Sequence, residues 1–101
     1  MHRSRYNKWW YGDVLNDLKN LDHIKNDNTM QATIFLTAVK NAEKETLLLP
    51  NGEDRLKAVN MIYYKKTHSV HGAARALYVS YSTVKRWLSA FVVAVGYNAG
   101  Y

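Results

Sequence analysis

Tyr81, Ser82, Thr83, Lys85 and Arg86 lie within six residues of one another. Together they offer hydroxyls, an ammonium and a guanidinium. Arg and Lys donate to guanine O6 and N7 or to phosphate oxygens, and Ser and Tyr reach phosphates or base edges. Groove reading requires these groups on one face of a helix whose other face is anchored. Placing Val84 at zero and advancing about 100° per residue puts Ser82, Lys85, Arg86 and Ser89 on one arc. Tyr81 flanks it in the first turn. Val84, Leu88, Phe91 and Val95 line the opposite side. Lys85 and Arg86 are the candidates for base readout.

The element that positions this helix is Ser69–Leu88, SVHGAARALYVSYSTVKRWL. It reads as a helix-turn-helix, which sets its second helix in the major groove of DNA. Val70, Ala73, Ala74 and Leu77 are three and four apart and share one face of a first helix over 69–78. Ala74 is small where the two helices would cross. Val79 is apolar at the corner. Ser80 can cap a second helix over 81–95 by accepting a backbone N–H bond. Arg75, Lys65 and Lys66 are placed to neutralise phosphates. An ordinary amphipathic hairpin with a solvated basic face is the competing reading, and charge decides between them. Residues 1–50 hold seven Lys/Arg against six Asp/Glu, and residues 51–101 hold seven against two. No acidic residue follows Asp54. A basic half that coincides with a groove-reading motif is the footprint of a polyanion partner. A membrane surface is the weaker alternative, because burial of the core stripe leaves no large apolar side for the interface.

The chain of 101 residues suffices for one domain with a modest core. It has no cysteine, which excludes disulfides, cysteine-ligated zinc and cysteine nucleophiles and fits a reducing cytoplasm. Met1–Tyr11 is polar and aromatic, unlike a signal peptide. The apolar run at Phe91–Val95 is far too short to span a bilayer.

Met1–Lys8 is basic through Arg3, Arg5 and Lys8, either a frayed start or a phosphate-touching arm. From Trp9 the pattern is helical, with Trp10, Val14, Leu18 and Leu21 on one face. Trp9, Trp10 and Tyr11 cannot all face inward. Asp22–Asn28 reads as a polar loop, and Asn28 with Gln31 as a capping box. Ile34, Phe35, Ala38, Val39 and Ala42 give the next helix its stripe, which Pro50 stops near Leu48. Asn51–Asp54 reads as a turn and cap, with acidic residues favoured at the helix start. Leu56, Val59, Ile62 and Tyr63 mark a third helix, with Lys65 and Lys66 in its last turn or the following loop. Gly96–Tyr101 reads as a tail. No period-2 alternation of useful length appears. The expectation is an all-α domain of about five helices, with a helical pair (9–48) packed on a trihelical helix-turn-helix unit (51–95).

The stretch NGEDRLKAVNMIYYKKTHSVHGAARALYVSYSTVKRWLSAFV resembles the C-terminal half of small phage late transcription regulators of Gram-positive hosts, of the LtrC, RinA and ArpU kind. It is also similar to the fourth region of bacterial sigma factors. The similarity runs from about Asn51 to Val95, and the aromatic opening Tyr11–Leu18 extends it weakly. RLKAVNMIYYKKTH and STVKRWL are its most specific parts, and the second is shared by many unrelated regulators. The resemblance implies activation of phage late genes in the bacterial cytoplasm, through a late promoter in double-stranded DNA and contact with host RNA polymerase. It implies groove positions at Tyr81, Ser82, Lys85 and Arg86, with Thr83 on the backbone. Many such motifs carry Gly in the turn where this chain has Tyr78. Tyr does not tolerate positive φ freely, so either the turn differs here or Tyr78 is not the turn residue.

A single small domain makes few DNA contacts, so a homodimer or help from polymerase is expected. Two other jobs fit the same residues: packaging-site recognition by a small terminase-type protein, which needs a ring, and a polymerase-binding adaptor with little DNA affinity. An enzyme fits least. Asp13, Asp17 and Asp22 read as a solvated face, and no Gly-rich phosphate loop or Ser/His/Asp arrangement is present. His68 and His71 are three apart, but two candidate ligands do not complete a metal site. No cofactor is implied.

Overall fold

Each apolar stripe with a period near 3.6 must bury itself against another, and here every stripe becomes a helix. The computed structural model describes residues 8–101. It contains α1 (Tyr11–Lys19), α2 (Leu21–Lys25), α3 (Met30–Leu47), α4 (Gly52–Val59), a π turn (Asn60–Tyr64), α5 (Val70–Leu77) and α6 (Tyr81–Asn98). No strand occurs among the described residues. The expected basic arm at Arg3 and Arg5 lies outside them.

α6 is the axis of the packing and touches α1, α3, α4 and α5. Its two halves have different covers. Near its start, Tyr81 meets His71 of α5 and Trp87 lies beneath Arg55 of α4. Near its end, Gly96 is pressed against the Trp10 ring at the start of α1. There Asn98 Nδ2 also donates to Glu45 Oε1 of α3 at 2.8 Å. Val84, Phe91, Val92 and Val95 are almost wholly buried. Each such side chain stabilises the fold by about 1.5–3 kcal/mol relative to exposure.

The N-terminal stripe follows the expectation. Trp10, Val14, Leu18 and Leu21 are all buried. Of the three successive aromatics Trp10 and Tyr11 turn inward, while Trp9 is 80% exposed and meets only the edge of Tyr101 among the described rings. Helix geometry allows no third inward position there. Lys8 Nζ lies 5.2 Å from the Tyr97 ring centroid and 5.9 Å from that of Trp10.

Several local expectations are corrected. The segment beginning at Asp22 is not all loop, because Leu21–Lys25 is helical after a break at Asn20. Asn20 closes α1 by donating from Nδ2 to the Asn16 carbonyl at 3.0 Å. The cap of α3 is Thr29 rather than Asn28. Its hydroxyl accepts the Ala32 N–H at 3.2 Å, and the Asp27 carboxylate accepts the Thr29 N–H at 2.9 Å. Ile34 is 49% exposed, since the buried face of α3 runs through Phe35, Ala38, Val39 and Ala42 to Thr46. Buried Thr46 satisfies its hydroxyl on the Ala42 carbonyl at 2.7 Å. Residues 96–98 are not tail but the last part of α6, and Tyr101 stacks on Trp10 at 5.3 Å. The expected third helix continues past Val59 as a π turn, closed by the Lys65 N–H on the Asn60 carbonyl at 2.8 Å.

Candidate nucleic-acid interface

The candidate interface centres on the turn between α5 and α6. Ser69 caps α5 by accepting the Gly72 N–H at 3.0 Å, and Ser80 caps α6 by accepting the Thr83 N–H at 3.1 Å. Between them, Tyr78 is left-handed, with φ 58° and ψ 41°. The Val79 N–H returns to the Ala74 carbonyl at 3.0 Å and the Tyr78 N–H to Arg75 at 3.4 Å. These two bonds and the left-handed residue make a Schellman ending, in which Gly is the usual occupant. Tyr78 is therefore the turn residue. Its side chain, 95% exposed, contributes no packing that offsets the strain. Ala73 and Ala74 are buried at the crossing, and half-buried Val79 packs against the core as the corner residue.

Left-handed backbone costs a residue with a Cβ about 1–2 kcal/mol, and Gly returns about 0.5–1 kcal/mol of this through its freer unfolded chain. Tyr78→Gly is thus expected to raise stability, by up to about 1 kcal/mol. Urea unfolding checks this. A loss of stability would show that Tyr78 makes a supporting contact.

The first two turns of α6 present Tyr81, Ser82, Lys85 and Arg86 to solvent. Two short chains of contacts orient them. Ser80 Oγ and Thr83 Oγ1 are 2.8 Å apart, and Arg86 Nη2 donates to Thr83 Oγ1 at 3.2 Å. The His71 ring stacks on Tyr81 at 4.3 Å, and Lys85 Nζ lies 5.5 Å from the Tyr81 ring centroid. Side chains ordered in advance lose less freedom on binding, a cost of about 0.5–1.5 kcal/mol for each flexible side chain immobilised. Thr83 is half-buried and serves this scaffold rather than standing free on the face. Arg75, one helical turn after His71, is exposed on α5.

Ser89 does not belong to the row. It is 3% exposed, and its hydroxyl makes no hydrogen bond. The buried arc of α6 has already widened at this position, so a wheel drawn for a single covered stripe misplaces it. The exposed polar face is confined to the helix start, the part that helix-turn-helix proteins insert into the groove. Lys65 is exposed in the linker before α5, but Lys66, left-handed at φ 55°, lines a cleft shared with α2 and α3.

Arg55 was not among the residues singled out from the sequence. Its Nε donates to the Pro50 carbonyl at 3.0 Å, and its guanidinium lies 5.9 Å from the Trp87 ring centroid. Arg55 and Arg86 line one shallow notch between α4 and α6, with Asn51 and Thr83 beside them. In the sequence Arg55 follows Glu53 and Asp54, and so reads as part of a helix start of mixed charge. Asp54 faces Lys57 instead, at 3.9 Å.

The competing chemistries gain nothing from the geometry. His71 is engaged with Tyr81, and His68 Nδ1 lies 2.8 Å from Thr67 Oγ1. Among the described residues no three His, Asp or Glu side chains come together in a way that could hold a metal ion. Asp13, Asp17 and Asp22 are exposed. The Asp17 carboxyl is held above the usual carboxylate range, first by partial burial and then by the Asp13 charge one turn away. No described helix is long and apolar enough to cross a membrane. No family model, curated protein or solved structure matches this chain.

Proposed function

We propose that this chain is a sequence-specific, double-stranded DNA-binding transcription regulator. One observation carries the reading: Tyr81, Ser82, Lys85 and Arg86 share the exposed start of a helix whose opposite face is locked into the core. The Schellman turn, the Ser80 cap and the absence of any carboxylate after Asp54 support it. Lys85 and Arg86 read bases, while Arg75, Lys65 and Arg55 neutralise phosphates. The finer assignment, activation of phage late genes with host RNA polymerase, rests on the resemblance of residues 51–95.

Anisotropy of a labelled duplex titrated at several salt concentrations tests the binding. Affinity is expected to fall steeply with salt as phosphate contacts release counterions. Arg55→Ala and Arg75→Ala should each weaken binding to all sequences alike and flatten the salt slope by about one. Binding that is absent at low salt overturns the reading.

A second reading has its own observation. Leu47, Leu48 and Leu49 are 52, 87 and 46% exposed at the turn from α3 to α4, an apolar point suited to a protein partner. It favours the polymerase-binding adaptor, which predicts complex formation with polymerase and no salt-dependent retention on DNA. Sedimentation separates the packaging alternative, because a closed ring favours packaging and a monomer or dimer favours the regulator.

A further inference from the structure

A cleft of about 770 Å³ lies away from the recognition row, between α2, α3 and the π turn. That size falls in the range of small-molecule sites, roughly 300–1,000 Å³. Its floor is apolar, formed by Leu21, Val39 and Tyr63, all buried. Its rim carries four lysines, Lys19, Lys25, Lys40 and Lys66, each exposed. Two carboxylates, Asp22 and Glu43, also line it. Glu43 is already engaged, since Tyr64 donates its hydroxyl to Glu43 Oε2 at 2.9 Å. Burial first, and then the Glu43 charge and hydrogen bond, push the Tyr64 hydroxyl far above the usual tyrosine range, so it stays a donor. Four lysines against two carboxylates leave a net positive rim over an apolar base.

The π turn is part of this wall. A π turn is rare and is frequently found at functional sites. Here it presents Tyr63 and Tyr64 to the same cleft. Tyr81, Ser82, Lys85 and Arg86 do not line it.

We propose that the cleft between α2, α3 and the π turn binds a small organic anion, its apolar body on Leu21, Val39 and Tyr63 and its charged head among the rim lysines. The proposal is independent of DNA binding, so its test uses no DNA. Anilinonaphthalene sulfonate serves as the probe, with dodecanoate and inorganic phosphate as competitors. The full chain is expected to show saturable one-site fluorescence enhancement. Lys40→Glu and Lys19→Glu, both at exposed positions, should each weaken the probe at least about fivefold, as loss of an ion pair and gain of a repulsion predict. Their thermal midpoints should stay within a few degrees of the wild-type value, the larger change being expected for Lys19→Glu, which puts an anion at the α1 C-terminus. Dodecanoate should displace the probe and inorganic phosphate should not. Amide shifts on probe addition should concentrate at Leu21, Asn60 and Tyr64. The proposal fails if enhancement does not saturate, if the lysine variants bind as wild type does, if the shifts fall elsewhere, or if phosphate competes as well as dodecanoate. Arg86→Ala should leave probe affinity unchanged, which separates failure here from failure of the DNA reading.

Discussion

Arg86→Ala is expected to cost about 1–3 kcal/mol at the preferred duplex, roughly a 5- to 150-fold loss, and to relax discrimination at one base pair. The expectation follows from the guanidinium's surroundings. Arg86 is exposed in the second turn of α6, and one N–H is tied to Thr83 Oγ1 at 3.2 Å. Thr83 is in turn fixed by Ser80, the cap of the same helix. The fork is thus held in a narrow range of orientations, as bidentate donation to guanine O6 and N7 requires. Lys85 has a looser tether, an ammonium 5.5 Å from the Tyr81 ring centroid, and acts as a point charge. The measurement begins with selection of a preferred site from a random duplex pool. Competition titrations against single-base-pair variants of that site follow. A flat loss across all variants would make Arg86 a phosphate contact and leave specificity to Lys85 and Ser82. Thr83→Val tests the scaffold separately. It removes the hydroxyl, preserves the side-chain shape, and should reproduce part of the Arg86→Ala loss without removing the guanidinium.

The stripes that build the fold were legible because helix burial is periodic. Val84, Leu88, Phe91 and Val95 are all buried where their spacing puts them, and Ser80 caps where a hydroxyl before an apolar run should. Tyr78 shows the limit of propensity. Its identity argues against a left-handed turn, yet the crossing of Ala73 and Ala74 and the capping of Ser80 fix the backbone on both sides, and tertiary context wins. Ser89 was misplaced for a geometric reason. A helical wheel assumes one covering surface, whereas α6 has His71 of α5 and Arg55 of α4 against its start, and Trp10 at the start of α1 and Glu45 of α3 against its end. The π turn had no signal in an apolar pattern that a plain helix would equally satisfy. Arg55 was hidden because its relevance comes from Trp87 beneath it and Arg86 across the notch, thirty-odd residues later in the chain.

The largest effect on stability should come from the smallest change. Gly52, the first residue of α4, is buried against the end of α3. A Cβ added there would lie 2.5 Å from the Thr46 carbonyl oxygen, 2.7 Å from the Leu47 carbonyl oxygen and 2.8 Å from Leu47 Cα. All three are backbone atoms, so no side-chain rotation relieves the clash. Gly52→Ala must push α4 off α3. Overpacking typically costs about 1–3 kcal/mol, and a backbone obstacle places this case at the upper end or beyond. For a domain of this length that corresponds to a fall in Tm of about 10 °C or more. Gly12→Ala is the matched control. Gly12 lies in α1 with nothing within 4 Å of an added Cβ, so helix propensity alone acts. That substitution should stabilise by about 0.5–1 kcal/mol. Urea unfolding of the two variants should therefore shift in opposite directions. Equal stability of Gly52→Ala and wild type would mean that α3 and α4 are not packed as closely as described. The consequence reaches the interface, because α4 carries Arg55 and covers Trp87 on α6. A displaced α4 should open the Arg55–Arg86 notch before the row of Tyr81, Ser82 and Lys85 is disturbed. In the folded fraction of Gly52→Ala the phosphate-dependent salt slope should then decline, while discrimination at the base pair read by Arg86 persists.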